Sequence, residues 1–155
     1  MLTLQEKKIP FPEKIFDIVI ANSVLEHIKN YKIVLDEMLR VLKDNGFIYI
    51  HIPNYLFPYE AHYKMFYFPL MPKFLGKFYL KLRGRNTAYY DYNIHYITSW
   101  RLYRVLQGKR VVFIDLGKKE FIDQNKNRLR RSIAKILVFF HLHPNVELII
   151  KKKFD

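Results

Sequence analysis

The feature that most constrains this chain is a strand, helix and strand read in succession between Ile15 and Pro53. Residues 15 to 21, IFDIVIA, form a nearly continuous apolar run interrupted only by Asp17, which predicts a strand covered on both faces of a parallel sheet. Asn30 is placed to cap a helix in which Tyr31, Val34, Leu35, Met38, Val41 and Leu42 recur at spacings of three and four, with Asp36, Glu37, Arg40 and Lys43 turned outward. Asp44, Asn45 and Gly46 stop that helix, and residues 47 to 52, FIYIHI, predict a second strand closed by Pro53. Two strands joined through a helix by such short connections cross over right-handed and become parallel neighbours.

The rest of the chain adds an irregular stretch and then more alternation. Residues 55 to 93 are rich in Tyr, Phe, Pro and Lys, and Pro58, Pro69 and Pro72 rule out one long helix. This segment reads as an insertion or lid holding short helices from Glu60 to Phe66 and from Lys73 to Leu82. Thr98 can cap a helix running to about Gln107, ended by Gly108, and VVFIDL, residues 111 to 116, predicts a buried strand. Residues 123 to 143 look helical. Their apolar stripe is Leu129, Ile133, Ile136, Leu137 and Phe140, with Arg128, Arg130, Arg131 and Lys135 around it. VELIIKKK, residues 146 to 153, makes a last strand. The order predicts an α/β layered domain spanning residues 1–155, with a helical insertion at 121–144 before the final strand.

Composition narrows the class. Half of the residues are apolar and 17% are aromatic, which favours a folded chain over disorder. The absence of cysteine excludes disulfides, zinc thiolates and thiol nucleophiles and permits a reducing cytoplasm. The opening MLTLQEKKIPFP has no apolar core behind a basic start, and no stretch is long enough to span a bilayer, so a soluble or membrane-peripheral protein is expected. His141 and His143 stand two apart with no carboxylate at ligand spacing, and no metal site is expected there.

The net charge of +13 is uneven: between Tyr63 and Arg85 lie Lys64, Lys73, Lys77, Lys81, Arg83 and Arg85 with no acid. Such a patch attracts phosphate. Three readings fit the run YKMFYFPLMPKFLGKFYLKLRGR: a lid with buried aromatics, a surface for an anionic membrane or lipid-linked substrate, and a track for single-stranded nucleic acid. No recognised nucleic-acid motif supports the third.

The stretches IPFPEKIFDIVIANSVLEHI, LDEMLRVLKDNG and IYIHIPN resemble the second half of a class I S-adenosylmethionine-dependent methyltransferase domain of the type 11-like kind. PNYLFPYEAHYKMFYFPLMPK resembles the segment that follows in one branch of small methyltransferases. The resemblance implies a partial Rossmann-like sheet of about four strands, in which 15–21 and 47–52 are the family's fourth and fifth and VVFIDL and VELIIKKK its last two, the last one antiparallel. It also implies S-adenosylmethionine as cofactor and methyl transfer to a small-molecule, glycan or lipid-linked acceptor.

One departure from the family matters physically. Its cofactor rests on a glycine-rich loop after the first strand, and an acid ending the second strand holds the ribose. This chain has glycine only at 46, 76, 84, 108 and 117, each isolated, so it contains no Gly-x-Gly loop. A cradle of backbone donors needs glycine because side chains block close approach. The expectation is a methyltransferase portion that is inactive alone. The family's fourth strand lies beside its first, so strand 15–21 should present a free edge to a second chain, as in one half of a split enzyme. The alternative is a non-catalytic interaction or membrane-surface module.

By the resemblance, Gln5 and Glu6 stand where the family contacts adenine. Asn22, Ser23 and Leu25 follow the carboxyl end of a parallel strand, where ligands bind in open α/β sheets, and are assigned to the cofactor. Glu26 and His27 open the next turn, and the imidazole suits a general base. Asn54, Glu60, His62 and Lys64 come after the next strand on the same side and could face an acceptor. The competing readings are a solvated terminus for Gln5 and Glu6, packing or capping for His27, and a solvated loop for the last four.

Overall fold

The computed structural model describes residues 8–60, 63–66, 68–69, 71–88, 90 and 95–153. The predicted crossover is present. Strands β1 (Phe16–Asn22) and β2 (Leu42–Pro53) run parallel and are joined through helix α1 (Tyr31–Val41). After the insertion come α3 (Ser99–Gln107), β5 (Val111–Asp115), α4 (Leu116–Gln124), α5 (Arg128–Phe139) and β6 (Asn145–Lys152). The last strand enters between β2 and β5, antiparallel to both, and the sheet reads β1-β2-β6-β5. This is an α/β fold with a four-stranded mixed sheet and flanking helices.

One sheet face carries the core. Ile48, Ile50 and Ile52 of β2 and Val146, Leu148 and Ile150 of β6 are fully buried there, packed with Val34, Leu35 and Met38 of α1 and Leu102 and Leu106 of α3. The period-two alternation of β2 and β6 puts their other residues on the opposite face. The register aligns Ile20, Tyr49, Ile149 and Ile114 in a row across that second face. Ile20 and Ile114, at the two ends of the row, are each 67% exposed. The expectation that 15–21 is covered on both faces is therefore corrected, since α1 and α3 lie on one side and the other helices leave the β1 end open. Among the described residues β1 pairs with β2 alone and ends the sheet.

Local signals held in part. Thr98 caps α3, its side chain accepting from the amide of Arg101, and α2 (Lys73–Leu82) and α3 have the predicted bounds. Asn30 stands at the N-cap of α1 but makes no side-chain cap bond. Asp44 to Gly46 are not a helix-ending turn: β2 starts directly at Leu42, and these residues form an irregularity where the register jumps from Phe16–Leu42 to Ile18–Phe47. Gly46 fits there because a Cβ would stand 2.5 Å from the carbonyl oxygen of Asp17.

The helix expected at Glu60 to Phe66 is instead a small antiparallel pair, β3 (Tyr59–Glu60) and β4 (Met65–Phe66), turned by Lys64 at φ 52°. A separate cluster of Tyr55, Met65, Leu80 and Tyr90 builds the insertion's interior. Tyr90 lies across Gly76 of α2, where any Cβ would collide with its phenol. The lid reading placed the aromatics inside, yet they divide: Tyr55, Tyr63, Tyr79 and Tyr90 pack within, while Tyr59, Phe66, Phe68, Phe74 and Phe78 are exposed.

The helical stretch expected at 123–143 starts earlier and is broken. Asp115 caps α4, its carboxylate accepting from the amide of Gly117 at 2.9 Å, and Asn127 caps α5 by accepting from Leu129 and Arg130. The stripe of α5 is outward rather than buried, with Leu129 70% and Phe140 61% exposed. Only Ala134 of this helix is buried, because α5 packs on α4 and reaches the sheet through it.

Candidate functional site

Parallel strands bring their carboxyl ends to one rim, and the first turn after β1 shapes it. β1 ends at Asn22, and Ser23 turns the chain at φ 52° while its amide donates to the carbonyl of His51 at 2.8 Å. Both Asn22 and Ser23 are exposed. A single 3-10 turn, Leu25–His27, follows. Leu25 enters the core cluster, and Glu26 is fully buried with its carboxylate 3.9 Å from Nε2 of His27, which is partly exposed. The carbonyl of Glu26 accepts from the amide of His95 at 2.7 Å.

His95 was not singled out in the sequence, where nothing but its residue type marks it. Burial first, then the charges of Lys73, Lys29 and His27, pulls its pKa below the usual imidazole value, so its ring is neutral at neutral pH. The rim thus presents the His27 imidazole beside a buried carboxylate, a pair able to take a proton from a nucleophile, with the backbone of His95 tied to the same turn.

Asn54 lies just beyond β2 and is 2% exposed. Its Nδ2 donates to the carbonyls of His141 and His143 at 2.7 and 2.8 Å, and its Oδ1 accepts from the amides of Leu56 and Ser99 at 3.2 and 3.1 Å. That side chain ties β2, α3 and the approach to β6 together. Glu60 closes β3 and Lys64 is exposed in the turn. The structure does not bring Asn54 and Lys64 to the Ser23–His27 turn by any contact it displays. Gln5, Glu6 and His62 lie outside the described residues.

A second buried group was also missed. Asp115 accepts from the phenol of Tyr103, from Nε2 of His143 at 3.1 Å and from the amides of Gly117 and Glu147. Burial works to raise its carboxyl, but the hydrogen bonds from His143 and Tyr103 outweigh it and hold the pKa below the usual carboxylate range. Burial, and then the Asp115 bond, pushes the Tyr103 phenol far up. His143 is fully buried, so this network fastens α4 to β6 and α3 rather than meeting solvent. Its members come from β5, α3, α4, β6 and the loop before β6, and no spacing in the sequence joins them.

Two tests of ligand fit follow. Among the described residues no group of three or more His, Asp or Glu side chains could hold a metal. For a nucleoside cofactor the Asn22–His27 turn offers an open rim, but the glycines are used elsewhere. Gly46 sits in the β1–β2 irregularity, Gly76 under Tyr90, and Gly117 against the carbonyl of Asn145, while Gly84 and Gly108 follow the ends of α2 and α3. None forms a backbone cradle at the rim, so the described residues do not fit the methionine end of S-adenosylmethionine.

The profile of the family described as "Methyltransferase domain" matches residues 2–50. The matched segment contains β1, the Asn22–His27 turn, α1 and most of β2. No match is found among the curated proteins. Three solved structures are similar over nearly the whole chain. The (4+2)-cyclase SpnF is 15% identical with a TM-score of 0.49, over 95% of this chain and 54% of its own. The YcgJ protein of Bacillus subtilis is 13% identical with a TM-score of 0.49, over 94% and 68%. A SAM-dependent methyltransferase of Thermotoga maritima is 16% identical with a TM-score of 0.48, over 94% and 60%. The chain therefore spans 54% to 68% of the length of these structures.

Proposed function

We propose that this chain is the acceptor-side part of a S-adenosylmethionine-dependent methyltransferase, inactive until another polypeptide segment completes its grip on the cofactor. The observation that carries the reading is the rim at Asn22–His27, in a methyltransferase-family segment, standing on a strand whose outer edge and second face are both open. The cofactor, when bound, supplies an electrophilic methyl group. Asn22 and Ser23 line its place, with Gln5 and Glu6 assigned to the adenine side, while Leu25, buried in the core, supports the turn from beneath. His27, steadied by the buried Glu26, takes the proton that the acceptor's nucleophile releases. Asn54 acts by holding the loop behind the acceptor, to which Glu60, His62 and Lys64 are assigned. The acceptor is a small molecule or a glycan or lipid-linked group, and the setting is the cytoplasm.

The strand partner belongs beside β1, and the segment connected to it covers Ile18 and Ile20 on the second face. Calorimetric titration of S-adenosylmethionine tests this. The chain alone should bind with Kd above about 1 mM. A polypeptide supplying a strand, a glycine-rich loop and an acid-ended second strand should bring binding into the micromolar range. Micromolar binding by the chain alone overturns the reading.

A second reading, a membrane-surface module, is favoured by Phe66, Phe68, Phe74 and Phe78 standing exposed among the cations of 63–85. It predicts salt-sensitive binding to anionic vesicles that is lost when Lys73, Lys77, Lys81 and Arg83 are neutralised.

A further inference from the structure

α5 is amphipathic in the wrong sense for a core helix. Leu129, Ile133, Ile136 and Phe140 follow one another at spacings of four, three and four and are exposed, with Phe139 beside them 78% exposed. The helix rests on α4 through small contacts around Ala134, so the long apolar side chains point away from the protein. Arg128, Arg130 and Lys135 flank the stripe, Arg128 and Lys135 on one side and Arg130 on the other.

The arginines are also placed against the helix's own preference. Arg128, Arg130 and Arg131 occupy the first turn, which contains no acid, where the macrodipole already presents positive charge. Asp123 answers Arg131 at 3.2 Å and accounts for one of the three. Anionic groups lying along this end relieve the conflict, and a surface that also accepts Leu, Ile and Phe side chains satisfies the stripe. No helix among the described residues is long and apolar enough to cross a membrane, so such a helix lies on the surface.

We infer that α5 is an interfacial helix that docks on an anionic lipid bilayer, with Leu129, Ile133, Ile136 and Phe140 in the acyl boundary and Arg128, Arg130 and Lys135 among the headgroups. Its residues are different from those of the 63–85 patch and of the Asn22–His27 rim. It holds whether or not the methyl-transfer reading does.

Flotation of the full chain with vesicles of phosphatidylcholine containing phosphatidylglycerol tests it. Binding should be strong with the anionic lipid, weak with phosphatidylcholine alone, and reduced at high salt. Ile133→Ser with Ile136→Ser should lower affinity more than tenfold, and Arg128→Gln with Arg130→Gln about fivefold for each charge removed. The single tryptophan, Trp100, lines a cavity of about 260 Å³ with Phe140. Its emission should shift to the blue on docking and fail to shift in the double-serine variant. Unchanged circular dichroism and Tm confirm that the exposed substitutions leave the fold intact. The inference is overturned if anionic vesicles are not bound, if Phe74→Ser with Phe78→Ser abolishes binding while the α5 variants do not, or if the serine variants change only the oligomeric state.

Discussion

Helices α1 and α5 have nearly the same length and equally clear apolar stripes, and the protein treats them in opposite ways. In α1, Val34, Leu35, Met38 and Val41 are buried, because the crossover between parallel strands lays this helix on the sheet. In α5, Leu129, Ile133 and Ile136 are exposed, because the helix is connected to α4 and follows it rather than the sheet. Periodicity therefore states that a face is apolar; connectivity decides what covers it.

The largest effect should separate the two stripes directly. Leu35 is 1% exposed, and Leu35→Ala should cost about 2–5 kcal/mol in denaturant unfolding through lost transfer energy and a cavity. Ile136→Ala, in a side chain 58% exposed, should stay within about 0.5 kcal/mol. Equal costs would mean that α5 is buried in solution by a partner or a second copy.

Next in size is the link that holds α5's platform. Asp115→Ala removes the acceptor of Tyr103, His143 and two amides and should cost about 3 kcal/mol. Hydrogen exchange should quicken across 116–139 and remain slow in α1. The pH dependence has a definite sign. The Asp115 carboxyl is more acidic folded than unfolded, so its stabilisation is intact above the ordinary carboxylate range and drains away as pH falls through the folded value. Asp115→Asn should flatten that part of the acid-unfolding curve. A variant that unfolds in acid like the parent would place the network's contribution elsewhere.

What was legible follows the same division. The crossover, the last strand and α2 and α3 could be read because local signals and tertiary placement agree there: the apolar runs, the Thr98 cap and the Gly108 stop serve the core, whereas VVFIDL forms the expected strand but is not buried, with Val112 and Ile114 exposed on the second face. The hairpin at Tyr59–Phe66 was misread as helix because its turn depends on Lys64 at positive φ, which lysine does not announce. The open second face could not be read from IFDIVIA, since an apolar strand looks alike whether its cover is present or absent. Asn22, Ser23 and Glu26–His27 could be placed on the rim from the sequence because they directly follow a strand. His95 and the Asp115 network came from pairings between distant segments, which one sequence does not display.

Gly76 offers a mid-sized check on the insertion. Alanine there forces its methyl into the Tyr90 phenol and should cost about 1–3 kcal/mol by overpacking, despite alanine's better helix propensity. A stabilised Gly76→Ala, measured by thermal unfolding, would show that Tyr90 does not lie across α2.

The smallest effect is the sharpest for α5. Asn127 caps it by accepting from the amides of Leu129 and Arg130 at 2.9 and 3.4 Å, so Asn127→Ala should cost about 1 kcal/mol. Asn127→Asp keeps the cap and adds a negative charge where the macrodipole and the first-turn arginines are positive, which should stabilise the helix by about 0.3–1 kcal/mol. The same charge neutralises part of the field that draws anionic headgroups. Stability and vesicle affinity should therefore move in opposite directions in this one variant. If both rise together, the arginines serve the helix rather than a membrane, and α5 becomes an ordinary amphipathic helix like α1.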